Sequence, residues 1–241
     1  MHGLILAGGE GSRLAATGIS TPKPLVAVAG RAQVVRLAQT LYALGCGTVT
    51  VVVREEFAAA VRAALPVTGL PDVRVESCHT PSSLHTLAQG LAALPAGPVL
   101  CTLVDSVMRG ADWERVAISV RVGLAAGRAL MLAVTAHVDD ESPLWVRRTP
   151  LGDATWLGSD PVTPPCVTGG VYGFSEAGRA LVRESLDQGA SRLRGFLSWA
   201  AARRTAIGTV DVGRIIDLDR RQDLAPAEQL LRHDAAREMV P

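Results

Sequence analysis

The chain has 241 residues, room for one large domain or two small ones, with 48% apolar and 20% charged residues and a formal net charge of +1. That balance is ordinary globular usage; it leaves no basic field for nucleic acid, no acidic tail, and no apolar run approaching the ~20 residues of a membrane span. Cys46, Cys78, Cys101 and Cys166 are scattered without CxxC or zinc-site spacing, and "MHGLILAGGEG" has no basic leader region, so reduced thiols and a cytoplasmic location are expected.

Strand-like and helix-like stretches alternate through the first half. "HGLILA" (2–7) is a short apolar run stopping at Gly-Gly and reads as a buried strand entering a loop. "RAQVVRLAQTLYAL" (31–44) spaces its apolar residues for one helix face and ends at Gly45. The β-branched "GTVTVVV" (47–53) predicts a strand and "EEFAAAVRAAL" (55–65) a helix stopping before Pro66. "DVRVES" (72–77) alternates as a strand, and "SSLHTLAQGLAAL" (82–94) opens with a serine cap as a helix. "GPVLCTLV" (97–104) is a strand terminating at Asp105. This order predicts an α/β, Rossmann-like layer fold with a mainly parallel sheet flanked by helices.

The middle changes character. Strands are expected at 128–134, 144–149, 153–158 and 168–174, separated by turn residues, as a small antiparallel insertion joined to the same mixed sheet. Helices return at 175–187 and 191–203, followed by a strand near 206–212 and the polar segment "DLDRRQDLAPAEQLL" (217–231). No linker divides the chain, so 1–241 reads as a single domain with a first half at 1–110, antiparallel strands at 128–174 and a closing segment at 206–232.

"LAGGEGSRL" (6–14) follows the first strand, and a glycine-rich turn there lets backbone N–H groups approach an anion. Three readings compete. A dinucleotide fingerprint would need a third glycine where Leu14 stands; a Walker loop would need glycine before Lys23, where Pro22 stands; Arg13 beside the glycines suits a polyphosphate. Lys23 is the sole lysine against 23 arginines and is fenced by Pro22 and Pro24. An ammonium is a compact point charge that the planar guanidinium fork replaces poorly, whereas an exposed lysine falling there by chance would have no such role.

Together "LAGGEGSRL" and "TPKPL" resemble the signature of the sugar-phosphate nucleotidyltransferase family. The resemblance implies one nucleotide-binding α/β domain in which Leu6, Ala7, Gly8, Gly9 and Gly11 line the nucleotide, Arg13 holds the departing pyrophosphate and Lys23 binds phosphates at the reacting centre. Ser82 and Ser83 match the family's helix start facing base and ribose, and one serine can cap that helix as well. Asp105, at the C-terminal end of a buried strand where ligands gather in open α/β sheets, matches the family's aspartate for a divalent metal, with Val104 in place of the usual glycine. Asp217 and Asp219 alternate in the closing segment, and either matches the second ligand; Arg221 replaces the family's proline there. Gly169, Gly170 and Tyr172 match the strand that passes the acceptor, although Gly-Gly also suits a plain bulge. The family's Glu-Lys-Pro element is absent, the chain reading "LGSDPVTPP" (157–165).

The implied reaction moves a nucleoside monophosphate from a nucleoside triphosphate to a sugar 1-phosphate, with Mg²⁺, giving a nucleotide sugar and pyrophosphate. Alternatives are a non-sugar acceptor (molybdopterin, choline or inositol phosphate) and a non-catalytic nucleotide-binding subunit. A glycosyltransferase would need Asp-x-Asp where this chain has "DSV" (105–107). His79, His85 and His137 are isolated and form no catalytic grouping.

Overall fold

The N-terminal apolar run, β1 (His2–Ala7), is the centre of the molecule, with Leu4 and Ile5 fully buried. The computed structural model describes residues 1–65, 69–70 and 72–238. After β1 the chain turns through Gly11, whose φ of 65° suits glycine, into the short helix α1 (Ser12–Ala16). A 3-10 turn at Lys23–Leu25 carries the lysine between its prolines and precedes a small hairpin, β2 (Ala27–Val28) and β3 (Arg31–Ala32). That hairpin takes the first two residues of the helix expected at 31–44, so α2 runs Gln33–Ala43, burying Val34, Leu37, Ala38 and Leu41 on one face. β4 (Val49–Arg54) and α3 (Glu55–Ala64) follow, with Glu55 and Glu56 at the positive end of the helix. Pro66, expected to stop that helix, lies outside the described residues.

Next come β5 (Val73–Cys78), α4 (Ser83–Ala93), β6 (Val99–Leu103) and the two-residue β7 (Ser106–Val107). Helix α5 (Gly110–Ala125) is an element that the sequence reading passes over. Its Val116, Ile118, Val120 and Val122 are poor helix formers, and burial of Trp113, Val116, Val120 and Leu124 against the sheet overrides that preference. β8 (Leu130–Thr135), β9 (Trp145–Arg148), β10 (Ala154–Gly158) and β11 (Val167–Phe174) occupy the middle. The end comprises α6 (Glu176–Asp187), α7 (Leu193–Ala202), β12 (Ile207–Asp211), β13 (Ile216–Asp217) and α8 (Leu224–Glu238).

One mixed sheet runs β10-β9-β11-β6-β1-β4-β5, with β8 against β11 and β12 beyond β8. β5, β4, β1 and β6 are mutually parallel, as the alternating half predicts. β11 is antiparallel to both β6 and β8, and β9–β10 form an edge hairpin. The strand expected at 128–134 is more than part of an insertion: α5 leads into it, and β12 pairs with it in parallel. Apolar cores fill both faces, one containing Leu84 and Leu87 of α4 with Phe196 of α7, the other Leu37 of α2 with Trp113 of α5. A smaller third core of Val28, Val107, Ile216, Leu218, Ala227 and Leu230 lies beneath the closing segment and fixes it against β7.

Candidate active site

β6 ends by delivering Asp105 to the carboxyl edge of the parallel strands. The next two residues, β7, pair antiparallel with β13, placing Ser106 opposite Asp217, and Leu218 N–H donates to the Asp105 carbonyl at 3.1 Å. The chain then bends, because Asp223 Oδ2 accepts the backbone N–H groups of Asp219 (2.9 Å) and Arg220 (2.6 Å). Thr17 Oγ1 accepts from Arg221 N–H at 3.1 Å and ties this bend to the end of α1. Asp219 is thereby brought to Lys23, whose Nζ donates to Asp219 Oδ1 and to Asp105 Oδ2, each at 2.6 Å. Arg13 Nη1 donates to the other Asp219 oxygen at 2.7 Å.

Four of the residues singled out in the sequence therefore meet in one charge cluster, graded from a Lys23 side chain 11% exposed to an Arg13 side chain 56% exposed. Burial acting alone would depress the Lys23 ammonium, but the charges of Asp105 and Asp219 outweigh it and hold its pKa above the ordinary lysine value. Burial likewise acts to raise Asp219, and Lys23 with Arg13 reverses the sign, keeping that carboxyl below the usual carboxylate range.

On one side of this cluster a cleft of about 360 Å³ is lined by Leu6, Gly8, Gly9, Gly11, Ser82 and Ser83 among others. Ala7, expected beside the nucleotide, is only 1% exposed and belongs to the core. Gly8 is required by close packing, since a Cβ there would lie 2.9 Å from Thr86 Cγ2, whereas Gly9 faces open space with nothing within 4 Å. Ser82 caps α4, pairs with His85 Nδ1 at 2.8 Å and donates to the Ser191 carbonyl, while Ser83 Oγ accepts from Leu193 N–H at 3.1 Å. Glu10, Arg54, Thr80 and Thr86 also line this cleft and were missed in the sequence. No motif marks them, although Arg54 directly ends a strand on the same sheet edge as Asp105.

On the other side a cavity of about 90 Å³ has Arg13, His137, Thr168, Gly169, Asp217 and Asp219 in its wall. Of the three residues expected at the acceptor, only Gly169 reaches it. Gly169 and Gly170 lie where the pairing of β11 with β8 slips between Thr168 and Tyr172, a bulge that needs the φ of 73° at Gly170. A Cβ at Gly169 would displace the end of the Ile215 side chain, 1.8 Å from its Cδ1, and one at Gly170 would fall 2.4 Å from Ser106 Oγ on a backbone that disfavours side chains. Tyr172 is 4% exposed in the core, its phenol pushed up by burial, and the structure does not bring it to either cleft.

Asp217 is exposed at the cleft wall, but protein crowds its carboxyl, which is pushed up by lost hydration first, then by the charges of Asp105 and Asp219. No hydrogen bond or ion pair joins it to Lys23 or Arg13, the partners Asp219 holds. Asp219→Ala is therefore expected to reduce turnover at least ~10-fold more than Asp217→Ala, read from initial rates on folded variants. Equal losses would remove this distinction.

Among the described residues no group of three or more His, Cys, Asp or Glu side chains forms a preassembled metal site. The carboxylates still suit Mg²⁺, a hard cation that takes few protein oxygens and completes its shell with water and phosphate. Asp105 Oδ1 is buried without a hydrogen-bond partner, an oxygen that a cation would satisfy.

Residues 3–157 match the MobA-like NTP transferase domain. No curated protein matches the sequence. An inositol-1-phosphate CTP transferase from T. maritima superposes with a TM-score of 0.77 at 17% identity, covering 95% of this chain and 94% of that one. A Bacillus anthracis protein described as a glucose-1-phosphate thymidylyltransferase, in complex with a sucrose, superposes with a TM-score of 0.78 at 18% identity, covering 96% and 95%. At these identities the two structures establish a shared fold over nearly the whole chain. The family match rests on sequence over a stretch that runs through the glycine loop, the proline-flanked lysine and the strand ending at Asp105, and by it the chain belongs to the MobA-like NTP transferases, a family of nucleotidyltransferases.

Proposed function

We propose that the protein transfers a nucleoside monophosphate from a nucleoside triphosphate to a sugar 1-phosphate, forming a nucleotide sugar and pyrophosphate. The observation that carries this reading is the position of the Lys23–Asp219–Arg13 cluster between two clefts, one bounded by the glycine loop and the other by the β11 bulge. The triphosphate occupies the first and the acceptor the second. A phosphate oxygen of the acceptor attacks the α-phosphorus, the bond from that phosphorus to the bridging oxygen breaks, and pyrophosphate leaves with the electron pair. The attacking oxygen is already ionised at neutral pH, so no general base is required.

Lys23 neutralises charge on the reacting phosphate, and Arg13, exposed and paired to Asp219 through Nη1 alone, turns its other N–H groups to the leaving pyrophosphate. Asp105 with Asp219 would hold Mg²⁺, which supplies further charge neutralisation at the phosphates when bound. Excess chelator is expected to lower turnover at least ~100-fold, with recovery on adding Mg²⁺. Undiminished turnover in chelator would reject the metal requirement.

Among the described residues, no Phe, Tyr or Trp lines the acceptor-side cavity, and Asp139, Thr168 and Gln222 do. Such a wall suits hydroxyl groups better than a planar pterin. The fold shared with an inositol-1-phosphate CTP transferase favours a second reading in which the acceptor is another polyol phosphate. The test is pyrophosphate release from each triphosphate with a panel of sugar 1-phosphates and inositol phosphate. Release only with non-sugar acceptors would replace the first reading by the second.

A further inference from the structure

Lys23 stands between two carboxylates that, on the reading above, serve a metal ion. Its Nζ is 2.6 Å from Asp105 Oδ2 and 2.6 Å from Asp219 Oδ1, so one ammonium joins both side chains. The lysine is held there: its side chain is 11% exposed, and Pro22 and Pro24 restrict the backbone on either side. Lys23 and Arg13 together match the charges of Asp105 and Asp219, yet Asp105 Oδ1 still lacks a hydrogen-bond partner. The same oxygens cannot serve two cations fully, because like charges in contact repel strongly in a partly buried site.

Resting on the metal roles proposed above, we infer that Lys23 competes with the divalent cation for Asp105 and Asp219, so the protein without nucleotide takes up metal poorly. The triphosphate resolves the competition. Lys23 and Asp105 line the same cleft as Gly8, Gly9 and Gly11, which puts arriving phosphate oxygens within reach of the ammonium and offers it a stronger set of acceptors. Lys23 uses Asp219 Oδ1 while Arg13 uses Oδ2, so Asp219 stays anchored by Arg13 as the lysine departs. A point charge with three donors on a flexible stem suits this exchange. The lysine is then a stand-in that keeps two aspartates together until nucleotide arrives, and metal uptake follows or accompanies nucleotide binding.

The test uses Mn²⁺ alone as the probe, titrated into nucleotide-free protein and followed by electron paramagnetic resonance. Wild type is expected to bind weakly, and Lys23→Met to bind at least ~10-fold more tightly. Lys23→Gln, which keeps a neutral hydrogen-bonding group, is expected to move in the same direction and serves if the methionine variant does not fold. Adding Asp105→Asn to either variant should abolish the gain. Unchanged or weaker Mn²⁺ binding in both lysine variants, with Asp105→Asn still reducing it, would overturn the competition and leave the metal assignment standing. No effect of Asp105→Asn in any background would overturn the metal assignment and the competition with it.

Discussion

Lys23→Arg is expected to lower turnover about 100-fold, equivalent to about 2.7 kcal/mol at the transition state, while triphosphate affinity changes only a few-fold. Composition makes this a sharp contrast, since the other 23 basic positions are all arginine and a position free to drift would accept one more. Geometry gives the reason for the cost. Lys23 Nζ meets two carboxylate oxygens at 2.6 Å each from a side chain only 11% exposed. A planar guanidinium spreads its charge over a wide fork, and from so enclosed a position it cannot pass from the carboxylates to a phosphate as a compact ammonium does. Nucleotide affinity is buffered by the glycine loop and Arg13, which the substitution leaves in place. Measuring kcat and triphosphate affinity on the same preparation separates the two effects, with a thermal melt to exclude unfolding. A fully active arginine variant would refute the assigned role.

Asp105→Asn is expected to cost at least ~1000-fold in turnover with a nearly unchanged melting temperature. The substitution preserves volume and the backbone link from Leu218 N–H to the residue 105 carbonyl, so the closing segment stays docked. It removes one negative charge from a cluster in which Asp105, Asp217 and Asp219 repel one another, which offsets part of the lost Lys23 ion pair. Lys23 retains Asp219. Rates at saturating triphosphate and Mg²⁺, compared with circular dichroism of the same variant, decide the matter. Retention of more than ~10% of wild-type turnover would show that Asp105 is no centre of charge stabilisation.

The parallel half was legible because apolar period and punctuation agree there: from β1 to β6 the expected boundaries lie within two residues of those observed. Two-residue strands such as β7 and β13 have no period to read, and α5 was hidden by the β-branched residues that its burial tolerates. The site divides similarly. The glycine loop, Arg13, Lys23 and Asp105 carry local spacing. The meeting of Lys23 with Asp219 spans 196 positions and leaves no local trace. Alternation alone put Asp217 and Asp219 on one side, but Asp223 bends the chain after Leu218 and directs only Asp219 to the lysine. Tyr172 was misplaced for a related reason: the bulge at Gly169–Gly170 shifts the register of β11, and the ring turns into the core.

The docking of β13 on β7 also sets when the site comes into being. A ribosome releases the glycine loop and Lys23 early, and Asp219 follows 196 positions later, roughly 10–40 s at ordinary rates of synthesis. Through that interval a growing chain carries Lys23 and Asp105 without Asp219, the lysine's second carboxylate. Arg13 waits still longer in sequence terms, 206 positions from its carboxylate partner. On the proposed roles, competence waits for the small core under α8, which fixes the segment that carries Asp219. On the roles proposed above, a chain that ends before Asp219 is expected to lack turnover, which initial rates on a truncated chain would check.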